Sequence, residues 1–301
     1  MGADGAGFGG ADGFALSRVD VGGVELRVRH GGSGPGLLLL HGYPQTHLMW
    51  LRIAPALAER FTVVAPDLRG YGGSSKPAPT PDHGAHSKRA MAADGVALMR
   101  ELWFDAFDVV GHDRGGRAGY RMALDHPAAV RRLSVLDIVP TAEVWARADR
   151  AFALGYWHWS FLAQPAPLPE TLIGADPAYF FLDAQFDGVL RGFPAEAVRD
   201  YERALADPAV VQAICEDYRA GATFDRELDE RDRAAGATIS CPTQVLWGTR
   251  GALPAWYGDP VEVWRPWAPD VVGGAVEGGH FFPEQNPAAT VAALLAFHVP
   301  G

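Results

Sequence analysis

The sequence predicts an α/β fold, a mostly parallel central sheet flanked by helices and interrupted by a helical insertion, and three observations predict it. Short apolar runs rich in valine and leucine recur along the chain: GLLLLHG, FTVVAPD, FDVVGHD, VRRLSVLDIVP, TQVLWG and DVVGGAVEGGH, each ending in or running up to Gly, Asp, His or Pro. Runs of that length without alternation read as strands buried on both faces. Helical stretches lie between them, LMWLRIAPALAERF, SKRAMAADGVALMRELW and GGRAGYRMALDHP, and NPAATVAALLAFH follows the last run. Such strand-helix alternation sets parallel strands side by side with helices on both faces. The alternation lapses between about Pro140 and Ala237, where Trp, Tyr, Phe and Pro accumulate without a strand run.

Taken in order, residues 1–13 hold six glycines and almost nothing apolar, and read as a flexible tail rather than a phosphate loop, since no strand precedes them and no GK[ST] follows. From Phe14, ALSRVDVGGVELRVRH alternates around Gly22-Gly23, the mark of a hairpin closed by a primed turn. The apolar runs then assign residues 14–139 and 238–301 to a core, and 140–237 to a helical cap inserted between two core strands. The 301 residues, 48% hydrophobic and 21% charged, are ample for a large buried core. A formal net charge of -10 is the wrong sign for neutralising nucleic-acid phosphates or anionic lipid. No basic and apolar leader opens the chain and no run of eighteen apolar residues occurs, so a soluble, cytoplasmic protein without nucleic-acid or membrane partners is expected. Cys215 and Cys241 stand far apart in no metal-ligand pattern and are expected as buried thiols. No metal site or cofactor is anticipated.

The chemistry concentrates in FDVVGHDRGGRAG. Read as strand, sharp turn and helix start, Gly111 to Gly115 gives G-x-D-x-G, the nucleophile elbow G-x-S-x-G with aspartate at its centre. Small residues beside the tip allow a turn that tight, and the turn lifts Asp113 above the carboxyl ends of the strands, where open α/β sheets bind ligands. A helix N-cap is the bland alternative for Asp113. Its companions argue against that: His280, in VEGGHFFPEQNP after the last strand, suits a general base, and Asp137, at the end of SVLDIVP, suits the acid that orients it. Asp259 is the weaker rival, because the strand after Cys241 ends in WGTRGALP with no early acid. In LLLLHGYPQTHLMW the backbone N–H of Tyr43, with that of Arg114 just after the nucleophile, is placed to form an oxyanion hole, and His41 to brace the loop.

HGYP, DLRGYGGSSKP, GHDRGGR and GGHFFPEQNP together resemble the α/β-hydrolase superfamily, in the branch with an aspartate nucleophile that includes haloalkane dehalogenases, epoxide hydrolases and haloacetate dehalogenases. The resemblance spans nearly the whole chain from Phe14. Within the branch, GHDRGGRAGYR and HWSFLAQPAPLPE are similar to the fluoroacetate (haloacetate) dehalogenases. That resemblance implies that Arg114 and Arg117 hold the carboxylate of a small haloacid; a cation near the positive end of a helix also wants a negative partner, and arginine offers a carboxylate bidentate geometry. It implies further that His158, Trp159 and Tyr218 receive the halide, that Asp113 displaces it to leave a glycolyl ester, and that His280, oriented by Asp137, activates the water that hydrolyses the ester. A homodimer is likewise implied. An epoxide hydrolase is the runner-up, needing two cap tyrosines among Tyr156, Tyr179, Tyr201 and Tyr218. A non-catalytic ligand-binding member of the fold is the alternative from another class.

Overall fold

The computed structural model describes residues 13–186 and 188–299, so residues 1–12 of the expected tail lie outside the described residues. Eight strands form one sheet: β1 (Phe14–Asp20), β2 (Glu25–Gly32), β3 (Gly36–Leu40), β4 (Thr62–Pro66), β5 (Phe107–His112), β6 (Val130–Leu136), β7 (Thr243–Gly248) and β8 (Val271–Val276). Their spatial order is β1-β2-β4-β3-β5-β6-β7-β8. β2 runs antiparallel to both neighbours, and the other pairs are parallel. The β1–β2 hairpin has Gly22 and Gly23 at φ 94° and 91°. Positive φ at both central positions is what a primed turn demands, and the Asp20 carboxylate accepts both glycine N–H groups.

Burial on both faces follows from residue parity. Leu37, Leu39, Val63, Ala65 and Val110 pack on one side with Trp50, Phe61 and Leu294. Leu38, Leu40, Val64, Val109 and Val135 pack on the other with Met91, Val96 and Met122. Alternate side chains of a strand face opposite ways, so an unbroken apolar run fills two cores at once.

One expected helix is interrupted. LMWLRIAPALAERF forms a 3₁₀ turn, His47–Trp50, and a separate helical turn, Ala54–Leu57. Pro55 has no N–H to donate, so it sits in the first turn of a new helix rather than inside a continuous one.

Between β6 and β7 the described residues form helices and turns without a strand, from Thr141–Ala146 to Phe224–Ala234. Phe152, Trp159, Leu162, Phe181, Tyr201 and Tyr218 of this stretch belong to the same apolar cluster as Leu38, Leu40 and Val64 of the sheet. At about 1.5–3 kcal/mol for each large apolar side chain buried, this shared cluster holds the helices over the carboxyl ends of the strands. Cys215 and Cys241 are buried free thiols. Among the described residues no helix is long and apolar enough to cross a membrane.

Candidate active site

β5 delivers the chain into the elbow, and the helix Arg114–Asp125 carries it away. Asp113 adopts φ 44°, ψ −113°, a conformation that side-chain-bearing residues rarely take and that persists only where the surroundings enforce it. The surroundings require glycine. A Cβ on Gly111 would stand 2.5 Å from the Gly115 carbonyl oxygen, and one on Gly115 would stand 2.3 Å from that of Leu40. The N-cap alternative for Asp113 fails, because its side chain makes no capping hydrogen bond. Instead Asp113 Oδ2 accepts the backbone N–H of Tyr43 at 3.1 Å.

Asp113 lines a cavity of about 250 Å³ together with Arg117, Asp137, His158, Trp159 and His280. Burial favours the neutral carboxyl of Asp113, but the charges of His280, Arg114 and Arg117 outweigh it and hold the group below the ordinary carboxylate value. The carboxylate is therefore ionised at ordinary pH, a form in which a carboxylate can act as a nucleophile. His280 Nδ1 donates to Asp137 Oδ2 at 2.6 Å, which leaves Nε2 as the basic nitrogen. Asp137 directly follows β6 at φ 55°, and its other oxygen accepts the Gly248 N–H from the end of β7 at 3.0 Å. Burial lowers the His280 pKa, while the hydrogen bond and charge of Asp137 and the charge of Asp113 raise it, and the net direction is upward from 6.5. Asp259 is exposed and caps the short helix Pro260–Trp264 through the Val261 N–H, which separates it from the cavity lining. His41 donates to the Gly42 carbonyl and accepts the Leu68 N–H, bracing the Tyr43 loop.

A second histidine cluster has triad connectivity without access. His298 Nδ1 meets Asp108 at 2.9 Å and Nε2 meets Ser134 at 2.9 Å, but the Ser134 hydroxyl donates to Gln244 and is wholly buried. It ties the C-terminal helix to the sheet.

The two arginines differ in whether the protein itself supplies a carboxylate partner. Arg114 already has an internal one. It is fully buried, with Nε and Nη2 on the Asp217 carboxylate at 2.9 and 2.6 Å, and only Nη1 left without a hydrogen-bond partner. The partner comes from the helix Pro208–Ala222, 103 positions along the chain, where the pattern around the elbow carries no trace of it. The only hint is spacing: Ile214, Asp217 and Gly221 fall on one helical face, an acid among buried positions. Arg117 does line the cavity. Its Nη1 donates to the Val139 carbonyl and the Thr141 hydroxyl, and its guanidinium lies 4.6 Å from the Trp159 ring. No Asp or Glu forms an ion pair with Arg117 among the described residues.

His158, Trp159 and Tyr218 converge beside Arg114 and Tyr43. The His158 ring stacks on Tyr43 at 5.6 Å, and Tyr218 meets the edges of His158 and Trp159 at 5.8 Å each. Tyr218 and Arg114 are both buried, with the Arg114 Cζ 4.2 Å from the centre of the Tyr218 ring. Burial drives the His158 pKa down to about 3, so its ring is a neutral N–H donor at ordinary pH. Of the other cap tyrosines, Tyr179 is exposed and Tyr201 donates to Glu284, whereas Tyr156 lines the cavity.

Residues 35–180 match the family described as the alpha/beta hydrolase fold. The chain is 48% identical to a fluoroacetate dehalogenase from a Burkholderia species over 95% of its length and 94% of that protein's. It is 34% identical to a soluble epoxide hydrolase from Corynebacterium sp. (strain C12), over 93% of this chain and 96% of that one. The crystal structure of ALR0039 from Nostoc sp PCC 7120 superposes with a TM-score of 0.92 at 47% identity, covering 96% of this chain and 99% of that chain.

Proposed function

The chain belongs to the α/β-hydrolase superfamily and, within it, to the fluoroacetate dehalogenase family, and from that premise we propose that it hydrolyses haloacetates to glycolate and halide. One observation carries the reading: Arg117, a buried guanidinium in the cavity beside an aspartate nucleophile, without an acidic side chain paired to it among the described residues. A cation so placed is stabilised by an anionic substrate, and an epoxide supplies no such charge. Tyr179 is on the surface and Tyr201 is bound to Glu284, which leaves Tyr156, in the cavity lining, and the buried Tyr218 as the two cap tyrosines an epoxide hydrolase would have to use.

In the first step the free oxygen of Asp113, Oδ1, attacks the halogen-bearing carbon, the carbon–halogen bond breaks, and halide leaves toward the N–H and O–H donors of His158, Trp159 and Tyr218. The product is a glycolyl ester of Asp113. In the second step His280 Nε2 takes a proton from water as its oxygen adds to the Asp113 carbonyl carbon. The oxyanion grows on Oδ2, which the Tyr43 N–H already holds, with the Arg114 N–H the second donor of the hole. Collapse expels glycolate, which receives the proton from His280. Aspartate suits this sequence where serine would not. Its ester is hydrolysable, whereas a serine ether would persist.

The test is release of halide and glycolate from fluoroacetate, chloroacetate and bromoacetate by the purified protein. Glycolate in step with halide is expected. No halide from any of the three, with turnover of epoxides, would replace this reading by the epoxide hydrolase. Arg117→Met is expected to raise KM with a smaller change in kcat. Removing one partner of a buried charged pair costs about 2–5 kcal/mol, roughly thirty-fold to a few thousand-fold in affinity. An unchanged KM would deny Arg117 the substrate carboxylate.

The pH dependence has a defined sign. His280 must be neutral to act as base, so ester hydrolysis slows as pH falls through its pKa, which in the free protein is raised above 6.5. Esterification of Asp113 removes one of the charges that raise it. The acid limb of kcat, which reports the ester form, is therefore expected at lower pH than the His280 titration of the free protein followed by NMR. Coincidence of the two would mean that the charge of Asp113 is not felt by His280.

A further inference from the structure

We propose that Asp217 is a positioning residue that holds the Arg114 guanidinium over the Tyr218 ring and so makes the Tyr218 hydroxyl a stronger donor to the departing halide. The inference rests on the dehalogenation reading above. Asp217 is fully buried, and one carboxylate gathers the donors around it. Oδ1 takes Lys88 Nζ and Arg114 Nη2; Oδ2 takes Arg114 Nε at 2.9 Å and the Tyr71 hydroxyl at 2.6 Å. Arg114 Nη2 also donates to the Asp217 carbonyl at 2.8 Å. Held at Nε and Nη2 by both carboxylate oxygens, the guanidinium is fixed over its neighbours. Its Cζ lies 4.2 Å from the centre of the Tyr218 ring and 5.5 Å from that of Trp159.

A cation over an aromatic face is attracted by the ring and draws density from it. In a phenol that withdrawal reaches the hydroxyl, which then donates more strongly as negative charge grows on the acceptor. The effect is largest for the strongest acceptor, fluoride, and smallest for bromide. Lys88 and Tyr71 complete the clamp by fixing Asp217, and Lys88 also lies 3.9 Å from Asp225. Asp217 touches neither substrate nor the reacting atoms and acts through Arg114.

Asp217→Asn keeps the shape and removes the charge that orients Arg114. Its kcat/KM is expected to fall about ten-fold or more further for fluoroacetate than for bromoacetate, as loss of a transition-state donor does. A purely structural role would lower fluoroacetate, chloroacetate and bromoacetate alike. An equal loss for the three acids, or none, overturns the proposal. Combined with Tyr218→Phe in a double-mutant cycle, the two effects on the fluoride-to-bromide ratio are expected to be non-additive, and additivity also overturns it. Should the single variant fail to fold with Lys88 stranded, Lys88→Met/Asp217→Asn, which removes that charge with its partner, carries the same readouts. Wild-type protein that releases no halide sinks the functional reading by itself. The clamp is then decided by the Tyr218 ζ-carbon NMR shift, expected to move in Asp217→Asn and overturning the proposal if it does not.

Discussion

Replacing His280 by asparagine is expected to convert a catalyst into a reagent that reacts once. Asp113 keeps its Tyr43 N–H and its arginine neighbours, so halide leaves and the ester forms; without the Nε2 base, water attacks it slowly. A positioned general base contributes about 10²–10⁴-fold, and steady turnover should fall by that factor or more. Two measurements check it: a halide burst of one equivalent per active site, and an intact mass increased by one carboxymethyl group that maps to the peptide containing Asp113. A turnover loss without the adduct would move His280 out of the second step and into the first.

Asp113→Ala is expected to abolish both steps, with halide release reduced by about 10⁴-fold or more, as for other residues that act as one catalytic unit. Binding should survive the loss. The Asp113 carboxylate repels the carboxylate of the substrate, and its removal leaves Arg117 facing that anion unopposed, so haloacetate is expected to bind the variant at least as tightly by calorimetry. Residual catalysis near the wild-type rate would assign the displacement to another group.

Much of this architecture can be read from residue types because the signals are local. Val109 and Val110 pack on opposite faces, so FDVVGHD declares a strand covered on both sides. Gly22 and Gly23 announce their turn because few other residues tolerate the φ values found there. Asp137, rather than Asp259, meets His280 since a strand end points at the active edge, whereas Asp259 merely begins a surface helix. Local signals fail where the partner is remote. The charge balance of Arg114 depends on Asp217 of a helix far along the chain, and periodicity there reports only which face is buried. A proline likewise divides the stretch after Tyr43, whose apolar spacing alone reads as one helix.

The covalent route transfers oxygen to the substrate carbon from Asp113 rather than directly from water. A single turnover in oxygen-18 water, with protein in excess over chloroacetate, tests it most directly. The covalent route predicts unlabelled glycolate in that first turnover and heavy oxygen in the carboxylate of Asp113, found by mass spectrometry of its peptide. Heavy oxygen in the first glycolate, with an unlabelled Asp113, would rule out the covalent route and make His280 the base for direct attack of water on carbon.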